Sequence, residues 1–263
     1  MDIDYKLLET QLSVMTELNK DAEYTIPAVK LLDREGAREF LLFYQTQIKG
    51  LDIQVAGTYL AASWRVLCAG MQYMIGVTDR WLSFSAENLI IQVCTINNYP
   101  RVYFILKDAQ ELPWPTGDRN VWREEWLGRF YQGTIAPVFA TISAVTGLPQ
   151  GQVWGQIPLG IDYYVKHLRD MLVNESDQQS LMEHYHYLVN ELAPGWFGLS
   201  RSPFNVKPKW IDDPRHPGEQ MRMKPTCCLA YRTDTGHGYC YSCPKMGKEE
   251  RQAKYAQIAA ASS

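Results

Sequence analysis

The stretch LIIQVCTINNYPRVYFIL, residues 89–106, distinguishes this chain from an all-helical protein. Two runs that are dense in β-branched and aromatic residues flank the sequence NNYP, which is a good turn former. This pattern predicts a β-hairpin near residues 88–107. Both faces of each predicted strand are largely apolar, so we expect other elements to cover the hairpin on both sides.

On either side of the hairpin, apolar residues recur at three- and four-residue steps, which is typical of amphipathic helices. The pattern predicts helices over residues 4–19 and 52–75, and several more between residues 121 and 192. Beyond this region the sequence becomes rich in Pro, Gly and basic residues. We therefore predict an α+β fold, in which a predominantly helical body with a small β-hairpin element occupies residues 1–192. An irregular C-terminal segment occupies residues 193–263.

The composition and charge argue against several classes of protein. The chain has 263 residues, of which 46% are hydrophobic, and its formal net charge is −3. That is enough apolar material for a sizeable core, and the basic stripe of a nucleic-acid binder is missing. The sequence contains neither a membrane-span candidate of about 18 apolar residues nor the pattern of a secretory signal. We expect a soluble, cytoplasmic protein with no nucleic-acid partner and no membrane span.

Four of the six cysteines lie in the stretch TCCLAYRTDTGHGYCYSCP, residues 226–244. Cys227 and Cys228 are adjacent, whereas two residues separate Cys240 from Cys243. In a reducing cytosol, clustered cysteines more often bind metal or carry out redox chemistry than form structural disulfides. The polar, glycine-containing surroundings offer no packing reason to collect thiols. This stretch therefore predicts a metal or redox site.

The cysteine spacing alone does not decide which metal is bound. The isolated residues Cys68 and Cys94 fit the usual role of buried cysteines as small apolar residues. Zinc sites usually combine two well-spaced pairs, and here only one pair has the CxxC spacing. Adjacent cysteines direct their side chains apart, which suits two points on the periphery of a two-iron cluster. Spacing leaves structural zinc and an iron–sulfur centre about equally favoured.

The pattern CC, eleven residues and then CxxCP resembles the C-terminal signature of the FhuF-type ferric-siderophore reductase family. That family holds a 2Fe-2S cluster in a CC-x10-C-x2-C motif, and the interval here is one residue longer. The glycines of GHG, residues 236–238, can absorb such an insertion. A second stretch, VWGQIPLGIDYYVKHL at residues 153–168, is similar to the Trp-containing helix start that precedes the cluster in these reductases.

The resemblance implies that Cys227, Cys228, Cys240 and Cys243 are the ligands of a 2Fe-2S cluster, with one pair for each iron. It also implies a cytoplasmic oxidoreductase, a ferric-siderophore reductase that delivers one electron to siderophore-bound ferric iron and so releases ferrous iron. No GxGxxG motif follows a predicted strand, so the chain lacks a dinucleotide-binding fingerprint. We therefore expect an external electron donor, either a ferredoxin or a flavin-dependent reductase.

Basic residues flank the cysteines, and Arg222, Lys224 and Arg232 are the nearest before and within the motif. A basic rim would help to dock an anionic ferric siderophore. We therefore predict that these three residues contact the substrate. A solvated basic loop is the alternative interpretation of the same residues.

Two other functions are compatible with the cysteine motif. A zinc-stabilised, non-catalytic binding module would be colourless and would hold one metal ion for four thiolates. An iron–sulfur protein that senses redox state, or only relays electrons, would hold the same cluster without acting on a siderophore.

Overall fold

Helices surround a small mixed sheet in the computed structural model, which describes residues 1–262 of the chain. The fold is α+β and mostly helical, so the predicted fold class is confirmed. The α-helices are α1 (Tyr5–Leu12), α2 (Arg34–Gln47), α3 (Ile53–Ser63), α4 (Arg65–Val77), α5 (Arg119–Phe130), α6 (Ala136–Thr146), α7 (Gln150–Trp154), α8 (Pro158–Met171), α9 (Glu175–Asn190) and α10 (Lys248–Ser262). The strands are β1 (Val14–Met15), β2 (Tyr24–Pro27), β3 (Arg80–Trp81), β4 (Leu89–Ile96), β5 (Tyr99–Leu106), β6 (Leu112–Pro113), β7 (Trp210–Asp212) and β8 (Gln220–Arg222).

The predicted hairpin is present as the antiparallel pair β4 and β5, which runs in register from Leu89 opposite Leu106 to Ile96 opposite Tyr99. Its two-residue turn consists of Asn97 and Asn98, both in the left-handed region with φ of 52° and 62°. Such a turn matches the right-handed twist of the flanking strands. β2 extends the sheet beside β4 and β1 lies parallel to β5, so the strand order is β1-β5-β4-β2.

Helix α4 forms the centre of the helical body, because every residue from 66 to 77 is buried. It packs against α8 and α9 on one side and contacts α1, α3 and α5 elsewhere. A small residue in α4 makes the close approach of α9 possible. A Cβ placed on Gly76 would lie 2.8 Å from the Cα of Leu181 in α9. Packing of this density leaves no room for an added methyl group.

Aspartate side chains begin four of the helices by accepting hydrogen bonds from otherwise unpaired backbone N–H groups. These N-cap residues are Asp4, Asp33, Asp52 and Asp118, for α1, α2, α3 and α5 respectively. An N-cap aspartate can be recognised from the neighbouring residues alone, so the starts of these helices are easier to predict than their ends. Within residues 1–262, none of the helices combines the length and the apolarity that a membrane span requires.

Two of the predicted helices differ in extent from the structure. The helix predicted over residues 4–19 ends at Leu12, because Ser13 takes a left-handed conformation with φ of 54°. The next two residues then pair with β5, so long-range strand pairing outweighs the local helical pattern. The helix predicted over residues 52–75 is divided at Trp64, a fully buried residue whose ring packs edge-on against Phe104.

The C-terminal segment is more regular than predicted. Strands β7 and β8 form an antiparallel ladder, and α10 begins at Lys248. The segment over residues 193–263, which the sequence predicts to be irregular, therefore contains these regular elements. Helix α10 is rich in Ala, Lys, Glu and Gln, which favour helices without any apolar periodicity. Residue 263 lies outside the described residues, and the boundary after residue 192 stays a prediction.

We expect the change Gly76→Ala to destabilise the protein by about 1–3 kcal/mol, because the new methyl group must push α9 away from α4. Gly133→Ala is the matched control, since nothing lies within 4 Å of a Cβ at that exposed position. The control should be neutral, or stabilising by about 0.4–1 kcal/mol. Urea unfolding of both variants measures the difference. Equal stability of Gly76→Ala and the parent protein would contradict the described α4–α9 packing.

Candidate metal centre

Residues 226–228, here called the dicysteine segment, dock on the helical body through their backbone. The hydroxyl of Thr58 in α3 donates a hydrogen bond of 2.7 Å to the carbonyl of Cys228. The side-chain amide of Gln156 donates to the carbonyl of Cys227 at 3.3 Å. Both carbonyl groups are therefore satisfied by the body. The two cysteine side chains are left available for other partners.

A close approach between Gly155 and Thr226 brings the dicysteine segment onto the end of α7. A Cβ at Gly155 would lie 2.4 Å from two side-chain atoms of Thr226. Gln152 donates its side-chain amide to the carbonyl of Cys227 at 3.2 Å, and Gln156 donates to the Thr226 hydroxyl at 2.9 Å. Only a residue without a side chain allows this contact, so Gly155 has a specific structural role.

The second cysteine pair lies on a tight turn, in which the N–H of Cys243 donates to the carbonyl of Cys240 at 2.9 Å. The backbone N–H of Lys224 donates to the carbonyl of Ser242 at 3.0 Å, which joins this turn to the chain just before the dicysteine segment. Arg251 of α10 donates to the carbonyl of Cys243 at 2.8 Å. Helix α10 therefore also holds the turn.

The four thiols meet as two pairs, each with one cysteine from the dicysteine segment and one from the turn. The sulfurs of Cys227 and Cys243 lie 3.5 Å apart. The thiol of Cys240 donates a hydrogen bond to the sulfur of Cys228. Two sulfurs on one tetrahedral metal atom, each at about 2.3 Å, lie about 3.8 Å apart, so the first pair has the spacing for sharing one metal atom.

A 2Fe-2S cluster requires its protein thiolates in pairs. Among residues 1–262, no group of three or more His, Cys, Asp or Glu side chains is arranged so that it could hold a metal ion. In a 2Fe-2S cluster the protein supplies only two thiolates to each iron, because inorganic sulfide supplies the remaining positions. The donor set, four thiols in two pairs, fits that requirement.

Backbone N–H groups point at the sulfurs of the dicysteine segment. The N–H of Leu229 donates to the sulfur of Cys227 at 3.4 Å, and the N–H of Ala230 donates to the sulfur of Cys228. The chain reaches this arrangement by placing Leu229 in the left-handed region, with φ of 59°. A non-glycine residue there costs about 1–3 kcal/mol. The strain at Leu229 lies at the candidate site, where the N–H groups stabilise negative charge on sulfur.

The electrostatic surroundings separate the pKa values of the thiols. The hydrogen bond from Cys240 and the ammonium of Lys224, 3.5 Å from the sulfur, together outweigh burial and lower the pKa of Cys228 to about 5. The same hydrogen bond raises the pKa of Cys240, because deprotonation would remove it. Burial raises the pKa of Cys227 to about 11. The pKa of Lys224 is raised overall. Partial burial of the ammonium group acts to lower it, but the attraction of Cys228 and Cys240 is stronger.

The three predicted substrate-contact residues have different surroundings. Lys224 contacts the sulfur of Cys228. Arg232 forms an ion pair with Asp52 and donates to Gln54, so it ties the cysteine loop to the start of α3. Arg222 lies at the end of β8 and donates to a backbone carbonyl. Their contact with a substrate stays a prediction.

A cavity of about 700 Å³ opens beside Cys228. Lys224 and the dicysteine segment form one wall, and helix α8 forms the other. Sequence reasoning did not identify this cavity. The stretch at residues 153–168 carries most of the α8 wall, and it also contains Gly155 and Gln156, which contact the dicysteine segment.

Comparisons with protein families and with curated proteins find no match for this chain.

We expect Gly155→Ala to loosen the dicysteine segment, because its methyl group would overlap the Thr226 side chain. Backbone amides of residues 226–232 should exchange with deuterium at least about tenfold faster than in the parent protein, as lost docking lowers the cost of local opening. Hydrogen-exchange mass spectrometry measures this difference.

Gly151→Ala in the same helix is the matched control, since nothing lies within 4 Å of a Cβ at that position. It should leave exchange in residues 226–232 unchanged. Unchanged exchange in Gly155→Ala as well would show that the segment does not dock on α7 as described.

Proposed function

We propose that this chain is a cytosolic ferric-siderophore reductase in which Cys227, Cys228, Cys240 and Cys243 hold a 2Fe-2S cluster. The single observation that carries the proposal is the pairing of the four thiols beside a cavity. Cys227 pairs with Cys243 and Cys228 with Cys240, and Cys228 lines a space of about 700 Å³. A thiol pair beside a space of ligand size supports the proposal.

In this proposal, Cys227 and Cys243 hold one iron, and Cys228 and Cys240 hold the other. When bound, a 2Fe-2S cluster supplies and accepts one electron at a time. The N–H groups of Leu229 and Ala230 and the ammonium of Lys224 face the sulfurs. These donors favour the more negatively charged, reduced state of the cluster and thereby raise its reduction potential.

The different burial of the two cysteine pairs supports electron delivery toward the cavity. Cys227 and Cys243 are buried, with 5% and 2% of their surface exposed. Cys228 and Cys240 are only partly buried, and Cys228 borders the cavity. A substrate in that cavity would therefore approach the Cys228 side of the site, while the other pair stays shielded from water.

Reduction of the bound iron is chemically sufficient to release it from a siderophore. Hydroxamate, catecholate and carboxylate oxygens are hard donors that prefer the ferric ion. One electron converts the substrate's ferric iron to ferrous iron, which these oxygens hold far more weakly, and the carrier is not consumed. The electron comes from an external ferredoxin or flavin-dependent reductase.

We expect serine substitution of any one of the four cysteines Cys227, Cys228, Cys240 and Cys243 to remove or strongly destabilise the cluster, because a hydroxyl group is a poor replacement for a thiolate ligand. The measurement is anaerobic purification followed by iron and sulfide assay, visible absorption and electron paramagnetic resonance of the reduced protein. Cys68→Ser is the matched control and should retain the cluster. Its thiol is fully buried in α4, and burial raises its pKa to about 12.

Three outcomes would contradict the assignment. Full cluster content in Cys228→Ser would show that the ligand set is wrong. A colourless protein with stoichiometric zinc would favour the zinc-stabilised binding module. A reduced cluster that no ferric siderophore in a broad panel reoxidises would favour a redox sensor or relay.

A further inference from the structure

The cavity beside Cys228 has a distinctive set of charged side chains. Its volume is about 700 Å³, which is the size of a small-molecule site. Charged residues enter it from α4, from α8 and from the chain before the dicysteine segment. They are Arg65, Asp162, Lys166, Asp170 and Lys224.

Most of these charges already have a partner within residues 1–262. Lys166 pairs with Asp162 at 2.9 Å, and Asp170 pairs with Arg169 at 2.6 Å. Lys224 lies 3.5 Å from the sulfur of Cys228. His167, on the same wall, shares a hydrogen bond of 3.0 Å with the side chain of Gln11. The two carboxylates of the cavity are therefore engaged with other cations.

Arg65 differs because no carboxylate in the described part of the chain pairs with it. Its Nε is buried and has no hydrogen-bond partner. The guanidinium group lies 5.8 Å from the centre of the Tyr164 ring, and the stem packs against Gly160, where a Cβ would lie 2.1 Å from the Arg65 Cδ. Arg65 is thus a half-buried cation without an acidic partner among residues 1–262.

We propose that this cavity binds the ferric chelate directly and selects a compact chelate that carries carboxylate groups, with Arg65 as the anchoring cation. The guanidinium group presents a planar set of donors that matches a carboxylate in two parallel hydrogen bonds. Leu159, Tyr163 and Pro225 provide the less polar surface around that anchor. A chelate held by Arg65 lies in the same cavity as Cys228. This inference rests on the proposed function and names its substrate class.

The test uses gallium(III) chelates, because gallium has the charge of the ferric ion but does not accept an electron from the protein. Binding is therefore measured separately from reduction. Calorimetric titration of the full chain compares gallium citrate, metal-free citrate and the gallium complex of a neutral trihydroxamate. We expect gallium citrate to bind most tightly. Arg65→Met should weaken its binding by at least about tenfold, as loss of a charge-assisted hydrogen bond requires.

Two further variants make the result specific. Arg34→Met is the matched control, because Arg34 is also the first residue of a helix but is exposed and lies outside the cavity. It should bind gallium citrate as the parent protein does. Gly160→Ala retains the charge of Arg65 but displaces its side chain, and it should also weaken binding of gallium citrate. This second variant keeps the test decisive if Arg65→Met does not fold.

The proposal is overturned if the neutral trihydroxamate complex or metal-free citrate binds as tightly as gallium citrate. It is also overturned if Arg65→Met and Gly160→Ala bind gallium citrate normally. A parallel assay of ferric citrate reduction by the chemically reduced protein tests the proposed reductase function separately from the proposed binding site at Arg65. Reduction that is unaffected in Arg65→Met leaves the proposed function intact and rejects this site. Tight gallium citrate binding without ferric citrate reduction supports the site and rejects the function.

Discussion

The docking of the dicysteine segment on the helical body is the constraint on which the candidate site depends. Thr58 and Gln156 donate to the carbonyl groups of Cys228 and Cys227, so the body holds the backbone and not the sulfurs. Both thiols therefore remain free to serve as ligands. The absence of a side chain at Gly155 sets how closely the segment can approach. Any movement of this contact would also change the distance between the two sulfur atoms of each thiol pair.

Helix α10 adds a second set of hydrogen bonds to the cysteine loop. Arg251 donates to the carbonyls of Tyr241 and Cys243, and Lys254 donates to the carbonyl of Tyr239. As ligands of the proposed cluster the four sulfurs would carry negative charge, and cations that bind the carbonyl groups of the loop would reduce the local negative potential without occupying the sulfur atoms. Hydrogen bonds from the body and from α10 thus hold the cysteine loop. Of the four cysteines, Cys228 is the one that lines the cavity.

Local signals explain what could be predicted from the sequence. The hairpin was predictable because its strands are apolar and its turn is Asn97-Asn98, and the clustered cysteines marked the candidate site.

Long-range effects explain the rest. The first helix ends early because residues 14 and 15 pair with β5, and no local breaker signals this. The role of Arg65 depends on which acids are already paired across the cavity, which spacing along the chain does not encode. Helix α10 has favourable composition but little apolar periodicity, so a search for periodicity does not detect it.

The central claim is that four paired thiols hold two iron atoms bridged by sulfide. Mössbauer spectroscopy of protein produced anaerobically with ⁵⁷Fe tests it most directly, because this method counts iron sites and identifies their oxidation states and ligands. The account predicts two ferric sites in tetrahedral sulfur coordination that are coupled to a diamagnetic ground state, and one ferric and one ferrous site after one-electron reduction. A single isolated iron site, or protein without iron, would contradict it.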